Sequence, residues 1–160
     1  MNSLHEYLRA DPECRDLATG AVLAVGPLLE DTDPTLTTQA LDDWAHELAG
    51  RMPLPWSFHG ALDELNAFLF EELCFQGALP SDDDVLGPLL LPRVLQHKHG
   101  LPITLSILWI ELARRLGFDA VGAVLPGYFV TAIRTDVGLL YFDPYRRGAP
   151  LGPEDASRLV

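Results

Sequence analysis

Basic residues are scarce in this chain: 11 Lys and Arg stand against 23 Asp and Glu, a formal net charge of -12 over 160 residues. A surface of that sign repels phosphate backbones and anionic headgroups, which argues against nucleic acid and membrane surfaces as partners. Cysteine is nearly absent as well. Cys14 and Cys74 lie far apart and form neither a disulfide framework nor a metal-ligand spacing, so both are expected to be reduced and partly buried, and no metal or other cofactor is implied. The opening residues, MNSLHEYLRADPECRD, lack a basic region followed by an apolar run, and no uninterrupted apolar segment reaches membrane-spanning length. The expectation is a soluble, cytoplasmic protein. Internal repeats and low-complexity linkers are missing too, which leaves a single domain over 1–160.

What is present suits a buried core: 48% of the residues are hydrophobic and 21% charged. The first hundred residues read as helical. Leu17, Ala21, Ala24 and Val25 recur on a helical period over 13–26, ended by Gly26-Pro27. The stretch 30–35 is a turn in which Pro34 holds Asp33 out of the helical region. A second helix is expected over 35–50, with Leu41, Trp44 and Leu48 on one face. After the stiff connector MPLPW (52–56), Ser57 is a good N-cap for a third helix reaching about Cys74, with Leu62, Leu65, Phe68, Leu69 and Leu73 as its apolar stripe. An acidic loop at 81–84 then leads into a shorter helix from about Gly87 to Lys98, in spite of Pro88 and Pro92.

From Pro102 to Leu116 the apolar residues cover almost the whole circumference, as they do in a helix enclosed by other elements. Gly117 is placed to end it. The runs AVGAVLP, YFVTAIR and LLYFDP, separated by Pro126-Gly127 and by 136–138, predict two or three antiparallel strands. Helices first and strands last make the fold class α+β, with an N-terminal helical part (1–56) and a core (57–160) in which the central helix packs on a small antiparallel sheet. At the end, LGPEDASRLV resembles the opening turn of a further helix, so the chain is expected to be either complete there or a fragment.

The segments LNAFLFEELCFQG (65–77), VLQHKHGLPITLSILWIELARRLGF (94–118), LPGYF (125–129) and FDPYRRG (142–148) resemble, in order and spacing, the bacterial transglutaminase-like family named after the Sir regulator B. The resemblance covers roughly the second two-thirds of the chain. It implies a papain-like core, and a continuation into tetratricopeptide-like helices. In active transglutaminase-like enzymes a cysteine opens the central helix, a histidine follows on a strand and an aspartate on the next. A helix N-terminus and an imidazolium stabilise the thiolate, and the carboxylate orients the ring. Aligned on Gly100 and Gly117, the cysteine position is Pro102, the histidine position is Tyr128, and only Asp143 remains.

Proline offers no nucleophile, and an unperturbed phenol titrates near pH 10, too high for a general base at neutral pH. Thr104 lies about 200° round the helix from Pro102; Ser106 returns to nearly the same face, about 6 Å further along the axis. Ser106 is the fallback nucleophile, without a histidine at the inherited position. Two readings follow. One is a non-catalytic regulatory module that binds a protein or peptide, its cleft lined by Tyr128, Asp143, Tyr145, Thr104 and the Pro102 helix entrance. The other is a hydrolase or acyltransferase using Ser106 or Cys74 with His59, His97 or His99 as base. His97 and His99, two residues apart, are expected to satisfy helix-end carbonyls, Cys74 to be a small buried hydrophobe, and Asp82, Asp83 and Asp84 a solvated acidic turn. Arg146 and Arg147 are candidates for an anionic ligand or an exposed turn. The oligomeric state stays open.

Overall fold

The computed structural model describes residues 3–12, 15–29, 33–52, 55–79, 85–152 and 155. Cys14, the start of the first turn, the acidic loop at 81–84 and the beginning of the C-terminal helical turn lie outside the described residues. The fold is α+β, as expected: a helical first half precedes a central helix packed on a four-stranded antiparallel sheet. Among the described residues no helix is long and apolar enough to cross a membrane.

The helices begin where short polar side chains can receive their unpaired N–H groups. Ser3 caps α1 (Leu4–Arg9), Asp16 caps α2 (Leu17–Val25), Asp33 caps α3 (Pro34–Arg51) and Ser57 caps α4 (Phe58–Ala67). The first of these was not anticipated, and α2 starts at Leu17, later than the expected 13–26, because Asp16 is its cap. The third predicted helix also stops early. After Ala67 the winding widens over Phe68–Glu72, where the Leu73 N–H bonds the Phe68 carbonyl five residues back at 2.9 Å. Cys74 leaves this turn in the left-handed region at φ 57°. That break takes it off the buried stripe, so its thiol is exposed and not partly buried as expected.

The expected helix from Gly87 to Lys98 is split. A 3-10 turn (Gly87–Leu89) gives way to extended Leu90, and α5 runs Leu91–His97. In one continuous helix the Pro92 ring would collide with the Pro88 carbonyl. That carbonyl instead accepts the Leu101 N–H at 3.2 Å and the Thr104 hydroxyl at 2.9 Å, which ties the turn to the start of the central helix, α6 (Pro102–Arg115).

Within α6, Leu105, Leu108, Trp109, Ile110, Leu112 and Ala113 are at most 1% exposed. The helix ends in a Schellman arrangement: Gly117, at φ 91°, donates to Arg114 O and Phe118 donates to Ala113 O. Two elements lie beside its entrance, β1 (Gln76–Gly77) and β2 (His99–Gly100), a parallel pair too short to announce itself in sequence. The main sheet has the order β3 (Ala120–Leu125), β4 (Tyr128–Thr135), β5 (Gly138–Asp143), β6 (Ala149–Leu151). Its first two hairpins turn at the expected places, with Leu125 opposite Tyr128 and Thr135 opposite Gly138. The fourth strand was missed. It is three residues long and contains Pro150, which an edge strand tolerates because one side of it needs no N–H donor. Phe142, carried by β5 against α6, stacks on Trp109 with ring centroids 5.3 Å apart.

A non-glycine residue in the left-handed region is strained, and glycine removes that strain at some cost in chain entropy. Cys74→Gly is expected to raise the stability measured by urea denaturation by about 0.5–1 kcal/mol, whereas Cys74→Ala, which keeps a Cβ, brings no gain.

Candidate functional site

Asp143 ends β5 with its side chain fully buried. A buried carboxylate must be surrounded by donors, and the turn that follows supplies them: Oδ1 accepts the backbone N–H groups of Tyr145 (3.0 Å) and Arg146 (3.4 Å). Tyr128, the first residue of β4 on the neighbouring strand, donates its hydroxyl to Oδ2 at 3.1 Å, and Arg146 Nε lies 3.6 Å from the same oxygen. The Gly148 N–H returns to the Asp143 carbonyl at 2.9 Å, closing the turn. Burial first, then the Asp143 charge and the hydrogen bond to it, hold the Tyr128 phenol well above its ordinary range. It therefore remains a protonated donor throughout the physiological range.

Tyr145 links this turn to the entrance of α6. Its ring lies against Gly77, where a Cβ would come within 2.6 Å of it, and its hydroxyl donates to the Ala78 carbonyl at 2.8 Å. Ala78 in turn donates to the Gly100 carbonyl at 2.9 Å, two residues before Pro102. Pro102 is the half-buried first residue of α6. Thr104 is 3% exposed and spends its hydroxyl on Leu101 O (3.1 Å) and Pro88 O (2.9 Å), so its group is already committed to backbone carbonyls.

The relocated-nucleophile candidates are not assembled into a pair. Ser106 is fully buried and its Oγ has no hydrogen-bond partner. The Cys74 thiol donates to the Glu71 carbonyl at 3.2 Å. His99 Nδ1 meets the His97 carbonyl at 2.6 Å and its Nε2 meets the Gln76 amide at 2.7 Å, while His59 packs edge-on against Phe58. Of the two arginines, Arg146 faces Asp143 and Arg147 donates to the Phe70 carbonyl at 3.3 Å. Among the described residues no three His, Cys, Asp or Glu side chains converge on a metal-sized site.

The Transglutaminase-like superfamily pattern matches residues 36–160, which contain α6, the sheet, Tyr128 and Asp143. The chain belongs to the transglutaminase-like superfamily. It is similar to a UPF0162 protein of Xylella fastidiosa (strain 9a5c), with 29% identity over 152 residues, 94% of this chain and 53% of that protein. A UPF0162 protein of Pseudomonas aeruginosa is 40% identical over 67 residues, 41% of this chain and 25% of that protein. Human F-box only protein 21 is 26% identical over 107 residues, 62% of this chain and 17% of that protein. The chain thus spans about half the length of the Xylella relatives. No solved structure matches it. In this transglutaminase-like domain Tyr128 and Asp143 are in contact, phenol to carboxylate.

A second polar centre went unnoticed in the sequence. Glu111, on the buried circumference of α6, accepts the Leu17 N–H at 2.9 Å and Arg115 Nη1 at 2.6 Å, with Arg114 Nη1 at 3.4 Å. Arg115 also reaches Asp16 (2.9 Å) and Asp42 (2.7 Å), so the end of α6 is joined to α2 and α3. The available signal was the carboxylate itself, placed between Ile110 and Leu112 within the apolar run of the central helix. Burial, and then Asp16 beside it, raise the Glu111 carboxyl to about 7 from its ordinary 4.5, while Asp16 is lowered.

Two measurements check these assignments. Tyr128→Phe removes one donor from a buried carboxylate and is expected to cost about 1–3 kcal/mol in denaturant unfolding. For Glu111 the folded-state value is the raised one. Its contribution to stability is therefore complete below about pH 4.5 and is lost as the pH rises through about 7. The lowered Asp16 acts oppositely, losing its contribution as the pH falls below its ordinary 3.8. Unfolding free energy followed from pH 4.5 to 8 should decline in the native chain, and Glu111→Gln should flatten that decline.

Proposed function

We propose that this chain is a non-catalytic transglutaminase-like domain of the Sir regulator B type, a cytoplasmic regulatory module that binds a protein or peptide segment in the inherited cleft. In this reading Tyr128, Tyr145 and the Pro102 entrance of α6 face the bound segment, with Asp143 buried behind the Tyr128 hydroxyl. The observation that carries the reading is the Tyr128–Asp143 hydrogen bond at 3.1 Å. Acyl transfer through a cysteine needs an imidazole that takes up a proton and a carboxylate that orients it. Here the carboxylate is satisfied by a hydroxyl that stays protonated, and the nucleophile position is a proline. The constellation keeps hydrogen-bonding capacity without proton-transfer capacity, which suits recognition of a polar chain segment.

Selection of a random-peptide library against the chain tests this. Enriched peptides are expected to lose at least about tenfold in affinity when Tyr128→Ala or Arg146→Ala is introduced. Failure to enrich any sequence, or binding indifferent to both substitutions, contradicts the reading. The frame itself is tested by restoring its lost groups in a background without the native thiols, Cys14→Ser and Cys74→Ser. Pro102→Cys with Tyr128→His should be alkylated by iodoacetamide at neutral pH faster than Pro102→Cys alone, and equal rates would show that the positions do not face one another.

A further inference from the structure

The main sheet has two open edges, and they differ in how they are guarded. An exposed edge presents unpaired N–H and C=O groups that another strand can take up, and charge, proline or a bulge is the usual protection. The edge strand β6 carries Pro150. At the other edge β3, AVGAVL, has no charge, no proline and an unbroken register with β4 from Ala120 opposite Ile133 to Leu125 opposite Tyr128.

That register fixes which groups of β3 are free. The Arg134 N–H donates to the Asp119 carbonyl at 2.9 Å, so residues 119, 121, 123 and 125 exchange hydrogen bonds with β4, and residues 120, 122 and 124 turn theirs to the open side. At Ala120 both groups are already engaged: the N–H donates to the Phe118 carbonyl at 2.9 Å, and the carbonyl accepts from Arg114 Nε at 2.8 Å. Pro126, next beyond Leu125, has no N–H. Gly122 and Val124 remain. Both are exposed, Val124 at 82%, and among the described residues nothing meets their outward backbone groups.

This pattern is its own complement. Two antiparallel copies of β3 related by a two-fold axis at Ala123 set Gly122 opposite the partner's Val124 and Val124 opposite the partner's Gly122, which satisfies every free group. An axis at Gly122 would spend Val124 on the engaged Ala120, and an axis at Val124 would spend Gly122 on Pro126. The Ala123 register also sets Asp119 opposite the partner's Gly127, so no like charges meet along the pairing. We infer that β3 is the contact between two copies of this chain, joined antiparallel at Ala123 so that their sheets become one. The edge is short, which places the pair among weak, transient associations with a dissociation constant of about 10 µM to 1 mM. No group of the Tyr128 cleft takes part, so each reading fails or stands alone.

Sedimentation equilibrium of the full chain tests this, under reducing conditions that keep the exposed Cys74 thiol from linking copies. The native chain should approach a dimer at concentrations up to about 1 mM, and the ¹⁵N amide resonances of Gly122 and Val124 should move with it. Each copy has a net charge of -12, so added salt should tighten the dimer by screening their repulsion. At the axis Ala123 meets its own image. Ala123→Glu and Ala123→Lys should therefore each weaken association at least about tenfold, and an equimolar mixture of the two should recover it. Val124→Pro, which removes an N–H unused within the chain, should weaken it too. A monomer at the highest concentration, a dimer that loosens with salt, association unaltered by these substitutions, or no recovery on mixing overturns the inference; an edge that accepts only foreign peptides gives the first of these results.

Discussion

The burial of Trp109 is the constraint on which the rest of the structure depends. Its ring stacks on Phe142, its indole N–H donates to Asn66 Oδ1 at 2.9 Å, and Asn66 Nδ2 donates onward to the Gly148 carbonyl at 3.3 Å. One side chain thus joins α6, α4 and the turn after β5. Gly148 has to be a glycine here. At φ 73° it is in the left-handed region, and a Cβ would come within 2.0 Å of Asn66 Oδ1. Its N–H closes the turn on the Asp143 carbonyl, and that turn aims two backbone donors at the Asp143 carboxylate. Packing in the core and the polar geometry of the candidate site are therefore one structure.

That coupling makes the polar geometry of the turn a requirement of the fold. A fully buried carboxylate is tolerated only when its oxygens have donors. The backbone of the Pro144–Arg146 turn provides two, and whichever side chain opens β4 provides the third. A phenol meets that need as an imidazole would, while lacking a proton-accepting role near neutral pH. Proline at the first position of α6 is equally compatible with the fold, since its missing N–H has no intrahelical partner there. Both residues are compatible with the architecture, and neither a proline nor a protonated phenol offers a nucleophile or a base.

Much of the fold was legible from residue pattern. The apolar circumference of 102–116, Gly117 at its end and the two turn signals identified the central helix and the two or three strands after it, because each rests on local chemistry that tertiary contacts reinforce. The limits are equally physical. The widened turn at 68–72 and the left-handed Cys74 are set by packing around Phe68 and Phe75, and no local signal gives them away. Pro88 and Pro92 were each tolerable near a helix start, but four residues apart they exclude one another from the same helix. The strands β1, β2 and β6 are too short to carry a period. At the candidate site, Tyr128 and Asp143 could be named from the family's spacing. The missing partner of Ser106 Oγ and the Glu111 network could not, since they depend on elements distant in the chain.

The central claim is that a transglutaminase-like frame is retained here without its acyl-transfer chemistry. The direct measurement is turnover of an activated peptide ester, with and without an amine acceptor, by the native chain and by variants carrying Ser106→Ala or Cys74→Ser. The account predicts release no faster than in buffer for all of them. Saturable turnover by the native chain, abolished by either substitution, would contradict it.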